Sequence, residues 1–181
     1  MKLVNVSLTV GMILLWLGGC KSKENSISLN MNNLEKLKAQ LIQHSYSQDS
    51  SAKTEALSFL EKVDPTIQGY SMDMNAINGL KEKLPAISNL GIKIYGGNWC
   101  SDTHEGVPSL LKVLDNIGFD PKHMEYHYVS RDKSQVDGTP ATFKINSVPW
   151  VLIYTGDKLI GEIVEFPRTT WEGDLLKILN N

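Results

Sequence analysis

A short apolar run, Ile92-Lys93-Ile94-Tyr95, breaks off at Gly96-Gly97-Asn98, and after Trp99 and Cys100 the chain resumes with residues that suit a helix as far as Leu111. The run predicts a strand, the two glycines and the asparagine a turn, and the residues from Ser101 onward a helix. A strand that turns directly into a helix is a unit from which mixed α and β architectures are built. It also places Cys100 at a helix N-terminus, where unpaired N–H groups and the positive end of the helix dipole favour a thiolate.

The C-terminal half continues in the same idiom. Met124-Glu125-Tyr126-His127-Tyr128-Val129 reads as a second strand, and Trp150-Val151-Leu152-Ile153-Tyr154 as a third. Thr155-Gly156-Asp157-Lys158 reads as a hairpin turn, Leu159 to Val164 as the returning strand, and Thr170 to Leu179 as a closing helix.

Trp99-Cys100-Ser101-Asp102-Thr103 resembles the active-site turn of the thioredoxin family, in which Trp-Cys-x-x-Cys sits between a buried strand and the first turn of a helix. Pro108 stands eight residues after Cys100, where that family carries a helix-kinking proline. Phe143 to Pro149, followed by the apolar strand from Trp150, resembles the family's approach to its cis-proline. The resemblance implies a thioredoxin-like α/β/α sandwich with a mixed central sheet over residues 73–181. It further implies a catalytic Cys100 with Trp99, Ser101, Asp102 and Thr103 as neighbours, and a cis Val148-Pro149 bond whose backbone docks a client.

Two departures from the family shape the function expected. Thr103 stands where the second cysteine would be, and Ile94 replaces a buried aspartate six residues before the attacking cysteine. A dithiol cycle completed within the chain is therefore excluded, and an external thiol must resolve any mixed disulfide. Near Cys100, a Thr103 hydroxyl is expected to reach the sulfur, and Asp102 and Glu105 are suited to stabilise the first helical turn. His104, four residues on, would share a helix face with Cys100. A metal needs three or four ligands, so none is expected, nor is a cofactor. His123 and His127 receive no role, and Trp150 is expected in the core.

The first nineteen residues carry Lys2, an apolar stretch from Leu3 to Leu17, and the ending Leu17-Gly18-Gly19-Cys20. They resemble a bacterial lipoprotein signal (1–19), which implies cleavage before Cys20, its lipidation, and a polar tether over 20–30. The apolar stretch is shorter than the roughly 20 residues a spanning helix requires. With Cys20 lipidated, Cys100 is the remaining thiol in an exported protein, where an internal disulfide has no second partner.

The amino-terminal half reads as a helical extension over 31–72. Leu34, Leu37, Leu41 and Ile42 share a helical face capped by Asn32 or Asn33. A second helix is expected from Ser51 to Val63, stopping at Asp64-Pro65, with a short edge strand near Thr66–Tyr70. A third runs from Asp73 to Leu84, capped by Asp73, with Met74, Ile77, Leu80 and Leu84 facing inward.

Without the leader the balance is 17 basic against 20 acidic residues. No basic cluster appears and the aromatics are not interleaved with Lys or Arg, which excludes a nucleic-acid groove. Three functions are weighed: a lipid-anchored, envelope-facing monothiol exchanging with a protein thiol or disulfide client; a non-catalytic module that keeps only the docking surface; and, last, a peroxidase, since the residues around Cys100 lack the proline-threonine approach of peroxiredoxins.

Overall fold

The computed structural model describes residues 32–43, 50–87, 89–133 and 144–181. The expected leader and tether, with Cys20, lie outside the described residues. In chain order the elements are α1 (Asn33–Gln43), α2 (Ser50–Gly69), α3 (Met74–Lys83), β1 (Leu90–Gly96), α4 (Ser101–Asn116), β2 (Met124–Tyr128), β3 (Trp150–Thr155), β4 (Lys158–Val164) and α5 (Trp171–Ile178). The sheet order is β2-β1-β3-β4, with β2 parallel to β1 and the other pairs antiparallel. This is a mixed α/β fold, and residues 31–181 form one compact unit.

The core lies on one face of the sheet. Ile92 and Ile94 of β1, Met124 and Tyr126 of β2, Val151 and Ile153 of β3 and Ile163 of β4 point to it, in a register that sets Ile94 opposite both Tyr126 and Val151. All five helices contribute to this core, from Leu37 and Leu41 of α1 through Phe59 and Val63 of α2 to Trp171 and Leu175 of α5. The expected extension is thus built into the same core as the strand–helix unit.

On the opposite face, no described helix adds a buried residue to the cluster of Tyr95, Val129, Ile145, Val148 and Leu152. Residues 134–143, between β2 and β3, lie outside the described residues. The alternate strand positions explain the contrast. Lys93 and Glu125 pair at 3.1 Å, His127 adds to Glu125, and Glu162 accepts from the Trp150 indole, so this face satisfies much of its polarity in place.

Three local expectations are corrected. The second helix runs through Pro65 to Gly69, so no edge strand forms at Thr66–Tyr70. Val63 and Ile67, on either side of the proline, are both buried, and their burial offsets the backbone hydrogen bond that Pro65 cannot donate. Met74 is 51 % exposed, because the inward stripe of α3 is Ala76, Ile77 and Leu80 and the first residue of the helix lies beyond it. Two caps follow expectation, Asn32 accepting from the Glu35 N–H and Asp73 from the N–H groups of Asn75 and Ala76; Thr170, read as the first helical residue, instead caps α5 by accepting from the Gly173 N–H.

Candidate functional site

Cys100 is the N-cap of α4, with an extended backbone (φ −96, ψ 126). Its N–H donates to the Gly97 carbonyl at 2.8 Å, closing the turn out of β1, and its own carbonyl accepts the first helical bond from His104 N–H. The side chain is partly exposed, and Sγ–H donates to the Val148 carbonyl at 3.6 Å. The bond from Val148 to Pro149 is cis. Cys100 and Val148-Pro149, widely separated in sequence, therefore meet face to face.

The neighbours divide into pillars and rims. Thr103 is fully buried, and instead of reaching the sulfur its hydroxyl oxygen accepts from the Gly97 N–H at 3.3 Å. A residue of that size and polarity pins the turn without any redox chemistry. Ser101 and Asp102 hydrogen-bond to one another at the solvent side of the helix start. Trp99 donates its indole N–H to the Val129 carbonyl at 2.8 Å, and the Arg131 guanidinium lies 5.5 Å from its ring centroid. Glycine is required at 97, since a Cβ there would stand 2.6 Å from the Trp99 ring. Gly106 keeps α4 close to Pro149 and Trp171, which a Cβ would approach to 3.4 and 3.1 Å.

The other wall comes from the chain around β3 and β4. Pro149 is buried, and its carbonyl accepts from the Glu165 N–H at 2.8 Å. Glu165 has φ 61, and the following N–H, of Phe166, returns to the Val164 carbonyl at 2.8 Å, a tight turn in the left-handed region. It leaves Val164 and Phe166 exposed beside the cis-proline. Trp150 is half-buried rather than in the core: its ring leans on Tyr95 at 5.9 Å and its indole N–H donates to Glu162 at 2.8 Å. Lys133 Nζ donates to the Asn146 carbonyl and ties the 130–133 turn to the segment that leads to Pro149.

Beneath the turn lies a group that sequence reasoning passed over. Asn98 is 2 % exposed. Its Oδ1 accepts from the Tyr126 hydroxyl at 2.9 Å, and its carbonyl is 2.5 Å from His104 Nε2, which must carry the proton because a carbonyl only accepts. His104 thus turns under the loop instead of toward the thiol. Burial above all, reinforced by charge at Tyr128 and Cys100, pushes the Tyr126 phenol far above its ordinary value and keeps it a donor. Asparagine after two glycines reads as an ordinary turn residue, so the available signal did not distinguish a buried anchor from an exposed corner.

Among the described residues no group of three or more His, Cys, Asp and Glu side chains is placed to hold a metal ion, and no helix is long and apolar enough to cross a membrane. No family model and no curated protein matches the chain. Among solved structures, the chain is similar to a protein of unknown function from Pseudomonas aeruginosa, at 16 % identity and a TM-score of 0.47, over 83 % of this chain and 98 % of that one. An HIV epitope-scaffold is similar with the same identity, coverage and score.

Proposed function

We propose that this chain is a lipid-anchored, thioredoxin-like protein of the cell envelope in which Cys100 exchanges disulfides with a protein client and an external thiol resolves the product. The observation that carries this reading is the meeting of Cys100 Sγ, at the start of α4, with the carbonyl that precedes cis-Pro149. A thiol so placed is partly exposed, has helix N–H groups at its back and an extended backbone segment in front of it.

The chemistry balances with one nucleophile. The Cys100 thiolate attacks one sulfur of a client disulfide, forming a Cys100–client mixed disulfide, while the other client sulfur leaves as a thiolate and takes up a proton. One external thiol then attacks the Cys100 sulfur and frees the reduced client. A second regenerates Cys100 and departs as part of the external disulfide, so two external thiols are oxidised for each client disulfide reduced. Val148 and Pro149 would dock the client as an extended strand, with Trp99, Ser101 and Asp102 at its flank, and Cys20 would carry the anchor.

Mass spectrometry of complexes captured from the envelope tests this directly. Wild-type protein is expected to carry client adducts at Cys100 that a reductant releases, and Cys100→Ser none; an identical adduct pattern in both contradicts it. The second reading, a docking module without turnover, draws on the positions that replace the family's partner groups: Ile94 and Thr103 are both fully buried and serve packing and turn geometry. Reversible binding of the same clients by both proteins, with no covalent adduct in either, would select that reading.

A further inference from the structure

We propose that His104 and Tyr126 are positioning residues for Cys100, acting through Asn98, and that α2 holds them in place through Phe59. This role rests on the reading of Cys100 as the reacting thiol. Asn98 stands two residues before Cys100 and lies inside the turn closed by the Cys100 N–H to Gly97 carbonyl bond. Any rotation of Asn98 therefore moves the backbone that aims Sγ at Val148. Its two acceptors are taken from two directions, the carbonyl by His104 from the first turn of α4 and Oδ1 by Tyr126 from β2.

The surrounding residues are shaped around this junction. Gly96 has no side chain where a Cβ would come within 2.5 Å of the Tyr126 hydroxyl, so the phenol reaches Asn98 only because glycine ends β1. The Phe59 ring covers both donors, with its centroid 5.2 Å from that of His104 and 6.2 Å from that of Tyr126. The anchor is also costly. Asn98 Nδ2 is buried with no hydrogen-bond partner, the one such side-chain atom among the described residues. An apolar or smaller residue would avoid that cost and lose both the Oδ1 contact and the depth at which the turn is held. Stability alone does not explain the choice, whereas control of the turn does.

The measurement is the second-order rate of Cys100 alkylation by iodoacetamide in the full chain, followed on the Cys100 peptide by mass spectrometry. His104→Ala and Tyr126→Phe are each expected to slow it by roughly tenfold, because a turn no longer held at Asn98 moves the sulfur off the helix start that favours its thiolate. His104→Gln retains an N–H within reach of the Asn98 carbonyl and is expected to restore the rate to within about twofold of wild type. Phe59→Leu, which keeps apolar volume but removes the ring, is expected to slow it as well. Rates at or above wild type in folded His104→Ala and Tyr126→Phe overturn the role, and so does a His104→Gln variant as slow as His104→Ala. Should His104→Ala fail to fold, the role is overturned by folded Tyr126→Phe alkylating at or above the wild-type rate, or by His104→Gln as slow as Tyr126→Phe. Iodoacetamide reads the thiol and not its client, so a wild type that alkylates yet captures no client would defeat the proposed function while leaving this role standing.

Discussion

Two buried polar junctions lie where the amino-terminal helices pack on the rest of the molecule, and they are built on opposite principles. Glu172, fully buried in the first turn of α5, has both oxygens occupied: Tyr70 donates its hydroxyl at 2.9 Å and Asp73 its N–H at 2.5 Å. Around it the Tyr70 hydroxyl also accepts from the Trp171 N–H, and the Tyr70 carbonyl accepts from Lys112 at 2.6 Å. Burial first, then the neighbouring Glu172 carboxylate, raises the Tyr70 phenol well above its ordinary value, so it remains a donor there. The Asn98 junction under Cys100 leaves a donor without a partner. One junction is complete and remote from the thiol; the other is incomplete and shapes the turn that carries it. The contrast separates a weld that holds the fold from an anchor to which we assign control of the Cys100 turn.

Breaking the weld should have the largest effect on stability and the least on chemistry. Glu172→Ala strands the Tyr70 hydroxyl and the Asp73 N–H and removes a buried side chain, at a cost of about 3 kcal/mol in denaturant unfolding. Cys100 alkylation in the folded variant should match wild type. A variant as stable as wild type would contradict the structural part assigned to Glu172. At the anchor the order reverses: Tyr126→Phe removes one hydroxyl, costs about 1 kcal/mol, and shows its larger consequence in the alkylation rate.

The smallest effect belongs to the polar face of the sheet. Burial opposes the Glu125 carboxylate, but Lys93 at 3.1 Å and then His127 outweigh it and hold the carboxyl below its ordinary value of 4.5. Because the folded value lies below the unfolded one, the pair's contribution is complete above the ordinary carboxylate range and disappears as pH falls through the lowered value. Both side chains are substantially exposed, so Glu125→Gln should cost no more than about 0.5 kcal/mol at pH 7 and less at pH 2. A cost unchanged between those two pH values would contradict the ion pair as its source.

Local signals made much of this legible. The break from Ile92–Tyr95 into Gly96-Gly97-Asn98 marked β1 and the start of α4, the hairpin turn marked β3 and β4, and Asn32 and Asp73 marked helix starts, because each depends on neighbours in sequence. Resemblance brought Cys100 and Val148-Pro149 together across a gap that periodicity does not span. What stayed hidden depends on distant packing. Pro65 reads as a stop until the burial of Ile67 is known, and Phe59 reads as one more apolar residue of a helix until α2 is seen to lie over His104 and Tyr126. Glu172 looks like any first-turn acid in the sequence, since Tyr70 and Asp73 reach it from about a hundred residues away.

The central claim, that Cys100 is an exchanging thiol dependent on an outside partner, is tested most directly by mass analysis of the Cys100 peptide from the folded chain incubated with glutathione disulfide. The account predicts one glutathione adduct on Cys100 that forms readily, persists in the absence of free thiol and is removed when reduced glutathione is added. A folded chain that acquires no adduct under conditions where the unfolded chain does would contradict it.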